Sequence, residues 1–209
     1  MSEVRGSESI AAEKQALRLQ VRRRLLSLGD AQRESAADAM ANRVLELPEL
    51  QAGGAVMICL SFGLEIDTWK LVQRLLDAGR EVYVPRAVSK SRRLCLHDYP
   101  CQLKTLSFGL KQPTKDSPAL AAESIDSTIE AALLLGLGFD RQGFRLGYGG
   151  GFFDRFLRSR PFPAIGMGYD VQVFDRLPLQ SHDLPMHRLV TESRVWTMSC
   201  ESGGPGFGK

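Results

Sequence analysis

The sequence predicts an α/β layered domain built on a mostly parallel sheet. Short continuous apolar runs at 55–60, 131–135 and 164–168 have the composition of strands buried on both faces. Helical stripes alternate with them through the middle of the chain, and 209 residues suffice for one sizeable core.

In chain order, residues 1–9 are expected to be disordered and 10–198 to form a single domain. A first helix is expected from about residue 10 to 28, with Leu17, Val21, Leu25 and Leu28 as its apolar stripe. Asp30 is expected to cap a second helix that runs to about residue 47, before Pro48. The run 55–60 is the first strand. Asp67 or Thr68 then caps a helix with Trp69, Val72, Leu75 and Leu76 inward, ended by Gly79. Strands follow at 81–84, stopped by Pro85, and at 94–99. Residues 100–128, rich in Pro, Ser and Thr, read as a long and mostly irregular connection. Another buried strand spans 131–135. A glycine loop and its helix reach about residue 158, strands follow at 164–168 and 189–198, and 199–209 is expected to be a flexible tail.

Composition narrows the function classes. A formal net charge of +3 gives no argument for nucleic acid. Four scattered cysteines contain no Cys-x-x-Cys pair, so neither a disulfide framework nor a zinc site is expected. The charged N-terminus has no apolar core, and no apolar run approaches a membrane span. A cytoplasmic monomer or weak dimer acting on small molecules is the expectation.

The densest chemical signal is Arg145-Leu146-Gly147-Tyr148-Gly149-Gly150-Gly151-Phe152-Phe153-Asp154. Four glycines in five positions allow positive φ and close backbone approach to a ligand. A glycine turn feeding a helix aims N–H groups at an anion, and the helix dipole reinforces them. The loop is not a P-loop, because no Lys-Ser or Lys-Thr follows it, and Phe152 breaks the dinucleotide fingerprint. Tyr148, Phe152 and Phe153 add walls for a flat ligand. Asp154 would repel a polyphosphate unless Mg²⁺ lay between them, and Asp183 is a second candidate ligand.

Two further groups could serve the same ligand set. Lys14, Arg18 and Arg22 share one face of the first helix, where a solvated basic face is the competing reading. Glu65 precedes the helix cap without a capping role, and could accept from a substrate N–H.

Taken together, these residues resemble the 5-formyltetrahydrofolate cyclo-ligase family. The resemblance rests on Lys14-x-x-x-Arg18, Glu65-x-x-Thr68, Val84-Pro85-Arg86, the block from Gly138-Phe139-Asp140 through Gly143, Arg145 and the glycines to Asp154, and Leu177-Pro178 with His182-Asp183 and Val190-Thr191-Glu192. It implies a three-layer, Rossmann-like α/β/α domain. The implied activity is ATP- and Mg²⁺-dependent closure of 5-formyltetrahydrofolate to 5,10-methenyltetrahydrofolate, with release of ADP and phosphate. By position, Lys14, Arg18, Arg145, Leu146, Gly147, Tyr148, Gly149, Gly150, Gly151, Phe152 and Phe153 would hold ATP. Lys14, Arg18 and Arg145 would also serve the phosphoryl transfer. Leu60, Glu65, Tyr148 and Phe152 would face the folate, and Asp154 and Asp183 would bind Mg²⁺. The chain departs from the family at Tyr148 and Gly150, where a basic residue is common. It departs also at Phe153, for tyrosine, at Leu135, for proline, and at His187, for an acid. A folate-binding protein with little turnover is the alternative reading, and a nucleotide-dependent enzyme for another formamide or amine is a third.

Overall fold

The structure, a computed structural model, describes residues 2–198, with side chains described from residue 8 onward. The tail expected over 199–209 lies outside the described residues. Helix α1 (Ser2–Leu26) starts ahead of residue 10, so residues 2–9, expected to be disordered, continue the helix. Val21 and Leu25 are buried and Leu17 and Leu28 half-buried, as the stripe requires. Helix α2 (Asp30–Leu45) is capped by Gly29 and not by Asp30, which is its first helical residue. The Gln32 side chain accepts the Gly29 N–H at 2.9 Å, and the Asp30 carboxylate suits the positive end of the dipole. The chain leaves the helix at Leu45, earlier than expected, and makes one 3₁₀ turn over Pro48–Leu50.

Strand β1 (Ala55–Ile58) is buried throughout and leads to α3 (Trp69–Asp77). Strand β2 (Val82–Val88) does not stop at Pro85. β1 pairs only with Val82 and Tyr83 of β2, so beyond Tyr83 that edge needs no amide donor and tolerates a proline. On its other side β2 forms a full antiparallel hairpin with β3 (Arg93–Tyr99). The connection expected to be irregular contains a small hairpin, β4 (Leu103–Thr105) and β5 (Lys111–Pro113), and a single helical turn, α4 (Ile125–Thr128). It delivers β6 (Ile129–Leu135).

Beyond β6 lie β7 (Gly138–Asp140), β8 (Arg145–Leu146), α5 (Phe152–Leu157), β9 (Ala164–Met167) and β10 (Val173–Phe174). The last expected strand is two, β11 (Arg188–Val190) and β12 (Val195–Thr197). The intervening turn closes when the Thr191 N–H donates to the Arg194 carbonyl at 3.0 Å. The main sheet has seven strands in the order β12-β11-β9-β6-β1-β2-β3. Its five inner strands are parallel and each edge strand is antiparallel. β10, β7 and β8 form a separate three-stranded sheet.

β1 and β6 lie side by side at the centre, and their onward connections run in opposite directions, to β2 and to β9. Where strand order reverses in an open parallel sheet, the carboxyl ends part and leave a crevice. The segments that leave this crevice are 59–68 after β1 and 136–151 after β6, which hold most of the residues singled out in the sequence.

Candidate functional site

The chain after β1 is held by Thr68. This side chain is fully buried; its hydroxyl donates to the Cys59 carbonyl and accepts from the Ser61 N–H, both at 2.9 Å. Asp67 then accepts the Trp69 N–H at 2.7 Å, so Thr68 holds the N-cap position without a side-chain cap bond and Asp67 supplies the bond to the first turn. The result is a fixed turn in which Leu60 is buried and the Phe62 N–H donates to Glu65 Oε2 at 3.0 Å.

The chain after β6 is built around Asp140, which is 1% exposed. Its Oδ1 accepts the N–H groups of Gln142 and Phe144, and its Oδ2 accepts that of Leu177 at 3.0 Å. With Gly143 at φ +90°, these bonds close the tight β7–β8 hairpin that places Arg145. The Arg145 stem crosses Gly136 so closely that a Cβ there would stand 2.7 Å from Arg145 Cγ. Gln172, also buried, donates from its amide to the carbonyls of Gly136 and Leu137 and so fixes the floor under this arginine. No motif in the sequence marked Gln172.

Tyr148 and Glu65 meet across the crevice, the hydroxyl donating to Glu65 Oε1 at 2.9 Å. Phe62 lies 5.4 Å from the Tyr148 ring and 5.7 Å from that of Phe108. Phe62 thus links the other two rings, and of the three side chains only Tyr148 bonds to the Glu65 carboxyl. Burial pushes the Glu65 carboxyl up to about 7, against the opposing pull of the Phe62 N–H, the Tyr148 hydroxyl and nearby Arg145. Burial and the adjacent Glu65 push the Tyr148 phenol up. Burial likewise raises the Cys59 thiol to about 12, so this cysteine is an inert core residue. Phe108, in the β4–β5 loop, was not recognisable as a site residue because that hairpin itself was not.

The cations converge from the other side. Arg18 Nε donates to the Gly147 carbonyl at 2.9 Å, and burial lowers the Arg18 pKa. Lys14 Nζ is 2.5 Å from Asp183 Oδ2, with both side chains nearly buried, and the same oxygen accepts the Gln180 N–H. Arg145 lies over the Phe153 ring at 5.1 Å and 3.6 Å from Asp154 Oδ2. Its Nε is buried with no hydrogen-bond partner. Gly149 and Gly151 take φ of +99° and +59°, conformations that favour glycine.

Some expectations change. Helix α5 has six residues, so its dipole contributes little and the anion-binding capacity rests on loop amides and cations. Arg22 is exposed, whereas Arg24 anchors α1 by donating to the Val171 carbonyl. Phe152 packs with Arg155 at 5.8 Å, not with the rings of Phe62, Tyr148 and Phe108. Asp154 and Asp183 are each paired with a different cation, and among the described residues no cluster of three or more His, Cys, Asp or Glu could hold a metal. His187 accepts the Ala164 N–H at 2.9 Å and ties β9 to the start of β11. His97 is buried, donating from Nδ1 to the Ser117 carbonyl and accepting from Arg86. Among the described residues, no helix is long and apolar enough to cross a membrane.

A crevice at the switch point of a parallel sheet, lined by a glycine loop, converging cations and a buried acid bonded to a tyrosine, defines an α/β enzyme of small-molecule chemistry. The profile of the 5-formyltetrahydrofolate cyclo-ligase family matches residues 10–192, and the chain belongs to that family. It is 31% identical over 183 residues to the 5-formyltetrahydrofolate cyclo-ligase of Escherichia coli K12, covering 84% of this chain and 98% of that one. The mouse 5-formyltetrahydrofolate cyclo-ligase is 24% identical over 196 residues, covering 88% and 96%. The solved structure of Aquifex aeolicus 5,10-methenyltetrahydrofolate synthetase superposes with a TM-score of 0.74 at 27% identity, covering 88% of this chain and 92% of that one.

Proposed function

We propose that this chain cyclises 5-formyltetrahydrofolate to 5,10-methenyltetrahydrofolate, with ATP as phosphoryl donor and Mg²⁺ as its counter-ion. One observation carries the reading. Neighbouring residues of the glycine loop reach opposite walls of the crevice: Gly147 meets Arg18 and Tyr148 meets Glu65. A phosphate on the cationic side therefore lies next to a flat ring on the aromatic side.

A formamide oxygen is a poor leaving group. In the proposed reaction the γ-phosphoryl moves to that oxygen and ADP departs. The N10 amine then attacks the activated carbon, the carbon–oxygen bond to phosphate breaks, N10 loses its proton, and the ring closes. Such a transfer needs alignment and charge neutralisation more than a covalent residue. Arg18 and the loop amides would hold the phosphates. The unpartnered Arg145 Nε is a buried donor for the oxygen that gains charge. Glu65 would accept a ring N–H, with the packed Phe62–Tyr148 pair against one face of the ring.

The donor set fits Mg²⁺, which commonly takes one or two carboxylates beside phosphate oxygens and water. Asp154 fits, because its ion pair with Arg145 is loose at 3.6 Å. Asp183 is held by Lys14 and the Gln180 amide, and would be available only as Lys14 turned toward phosphate. When bound, the metal would neutralise phosphate charge during transfer.

The test is the near-ultraviolet absorbance of the methenyl product on mixing the protein with 5-formyltetrahydrofolate, ATP and Mg²⁺. A rise that requires all three is expected. A rise without ATP, or no rise, overturns the reading.

A further inference from the structure

Helix α1 carries Lys14 and Arg18 and ends at Leu26, where its last carbonyls run short of helical partners. Arg33, in the first turn of α2, supplies donors there. Its Nε donates to the Leu28 carbonyl at 3.1 Å, and one terminal nitrogen donates to the Leu25 carbonyl. A cation also suits this end of the helix dipole. The other terminal nitrogen leaves the helix end and donates to the Leu64 carbonyl at 3.3 Å, in the turn after β1. The guanidinium lies 6.0 Å from the centre of the Tyr169 ring, which is buried beyond the end of β9. Burial pushes the Tyr169 phenol up, and the Arg33 charge opposes that rise. One half-buried side chain thus fastens three segments together: the end of α1, the turn after β1 and the chain after β9.

The bond to Leu64 reaches the site. The Leu64 carbonyl and the Glu65 N–H belong to one peptide unit, which is planar and turns as a single body. The Glu65 N–H donates to the Phe62 carbonyl at 3.2 Å and closes a turn over Gly63, whose φ is +62°. Arg33 holds the opposite edge of the same plane. The peptide that carries Glu65 is therefore fixed on both sides. Its orientation decides whether the carboxyl meets the Phe62 N–H and the Tyr148 hydroxyl, as it does here. The groups that act directly on that carboxyl are the Phe62 N–H, Tyr148 and Arg145, so Arg33 works through the main chain. A cap for α1 alone would need only the bonds to Leu25 and Leu28.

We infer that Arg33 is a positioning residue for the folate side of the reaction: by holding the Leu64 carbonyl from the end of α1, it sets the direction of the Glu65 carboxyl and so the affinity for the ring that Glu65 receives. This rests on the function proposed above.

Two variants test it. Arg33→Met keeps an unbranched stem and removes every donor. Arg33→Lys keeps a charge for the end of α1 but lacks the planar fork that spans the helix end and Leu64 at once. In both, the KM for 5-formyltetrahydrofolate should rise about tenfold while the ATP KM stays within about twofold of wild type. Native-state hydrogen exchange should quicken about tenfold or more at the Phe62 and Glu65 amides and stay unchanged in α1 around Arg18. If Arg33→Met does not fold, Arg33→Lys carries the test. An equal rise in the ATP KM would mean that Arg33 only docks the helix bearing Lys14 and Arg18. A wild-type folate KM in Arg33→Lys would mean that a charge at the helix end is enough. Either result overturns the inference. A wild-type chain that does not turn over 5-formyltetrahydrofolate sinks the proposed function instead. Hydrogen exchange then tests the positioning on its own, and unchanged rates at Phe62 and Glu65 overturn it.

Discussion

The Tyr148 hydroxyl donates to Glu65 Oε1 at 2.9 Å, joining the loop after β8 to the turn after β1. The contact closes the crevice over a carboxyl whose burial raises it to about 7. Folded Glu65 therefore holds its proton more tightly than the unfolded chain does. Its favourable contribution to stability is present below 4.5 and is lost as pH rises to about 7. Glu65→Gln should consequently be more stable than wild type at pH 8, by up to about 3 kcal/mol, with little difference at pH 4. Activity should fall in the same variant. Thermal unfolding at the two pH values checks the sign. Tyr148→Phe removes a donor that favours the anion, so the acid limb of the folate kcat/KM profile should move to higher pH.

Gly136 and Arg145 are tied in a different way. A methyl at Gly136 would meet Arg145 Cγ at 2.7 Å and Phe139 Cζ at 3.1 Å. The contact is with the middle of the stem of a buried arginine whose backbone is paired to Phe139 of β7, so the side chain cannot simply swing away. Gly136→Ala should displace the guanidinium from Asp154 and cost about 1–3 kcal/mol of stability. Turnover should drop far more than the small change in unfolding midpoint suggests. An alanine variant with wild-type kcat would show that Arg145 need not occupy this position.

The inner strands were legible because burial on both faces leaves unbroken apolar runs, as at Ala55–Ile58 and over 131–135 within β6. The glycine loop, Lys14, Arg18 and Glu65 stood out in the sequence, and the structure joins the loop to Arg18 and Glu65 and pairs Lys14 with Asp183. Strand ends were harder. Pro85 is a stop signal locally, yet β2 continues because antiparallel pairing to β3 supplies what β1 no longer does. Phe108 and Gln172 belong to the site through tertiary packing alone, in segments with no period of their own. Asp140 stood within the motif, but only its three backbone donors reveal that it shapes the loop.

That role for Asp140 gives a third expectation. Its buried carboxylate satisfies three N–H groups, and hydrogen bonds to a charged acceptor contribute more than neutral ones. Asp140→Ala should destabilise the fold by about 3–5 kcal/mol, since three donors lose their acceptor inside the protein. Chemical denaturation measures it. A loss under about 1 kcal/mol would mean that water replaces the carboxylate and that the hairpin is not held by it.

Asp154 is expected to behave oppositely. It sits in the first turn of a short helix, and its ion pair with Arg145 is loose. Asp154→Asn should keep the unfolding midpoint within a few degrees while abolishing Mg²⁺-dependent turnover. Wild-type activity with an unchanged Mg²⁺ requirement would remove the metal role from this residue.

The Lys14–Asp183 pair joins α1 to the loop after β10 at 2.5 Å, and both side chains are nearly buried. Asp183 would keep the Gln180 N–H if Lys14 were removed, whereas Lys14 would keep only the Gln180 side chain at 3.5 Å if Asp183 were removed. A double-mutant cycle with Lys14→Met and Asp183→Asn should give a coupling on the order of 1–3 kcal/mol in stability. The pair also competes with ligand. A phosphate can take Lys14 only by drawing it from Asp183, so the carboxylate should oppose nucleotide binding when no metal is present. Asp183→Asn should therefore bind ATP more tightly than wild type in the presence of a chelator, and Lys14→Met more weakly. Calorimetry under those conditions separates the alternatives. If the three proteins bind ATP equally, Lys14 stays with Asp183 throughout and serves to dock α1, and the phosphate contacts belong to Arg18, Arg145 and the loop amides.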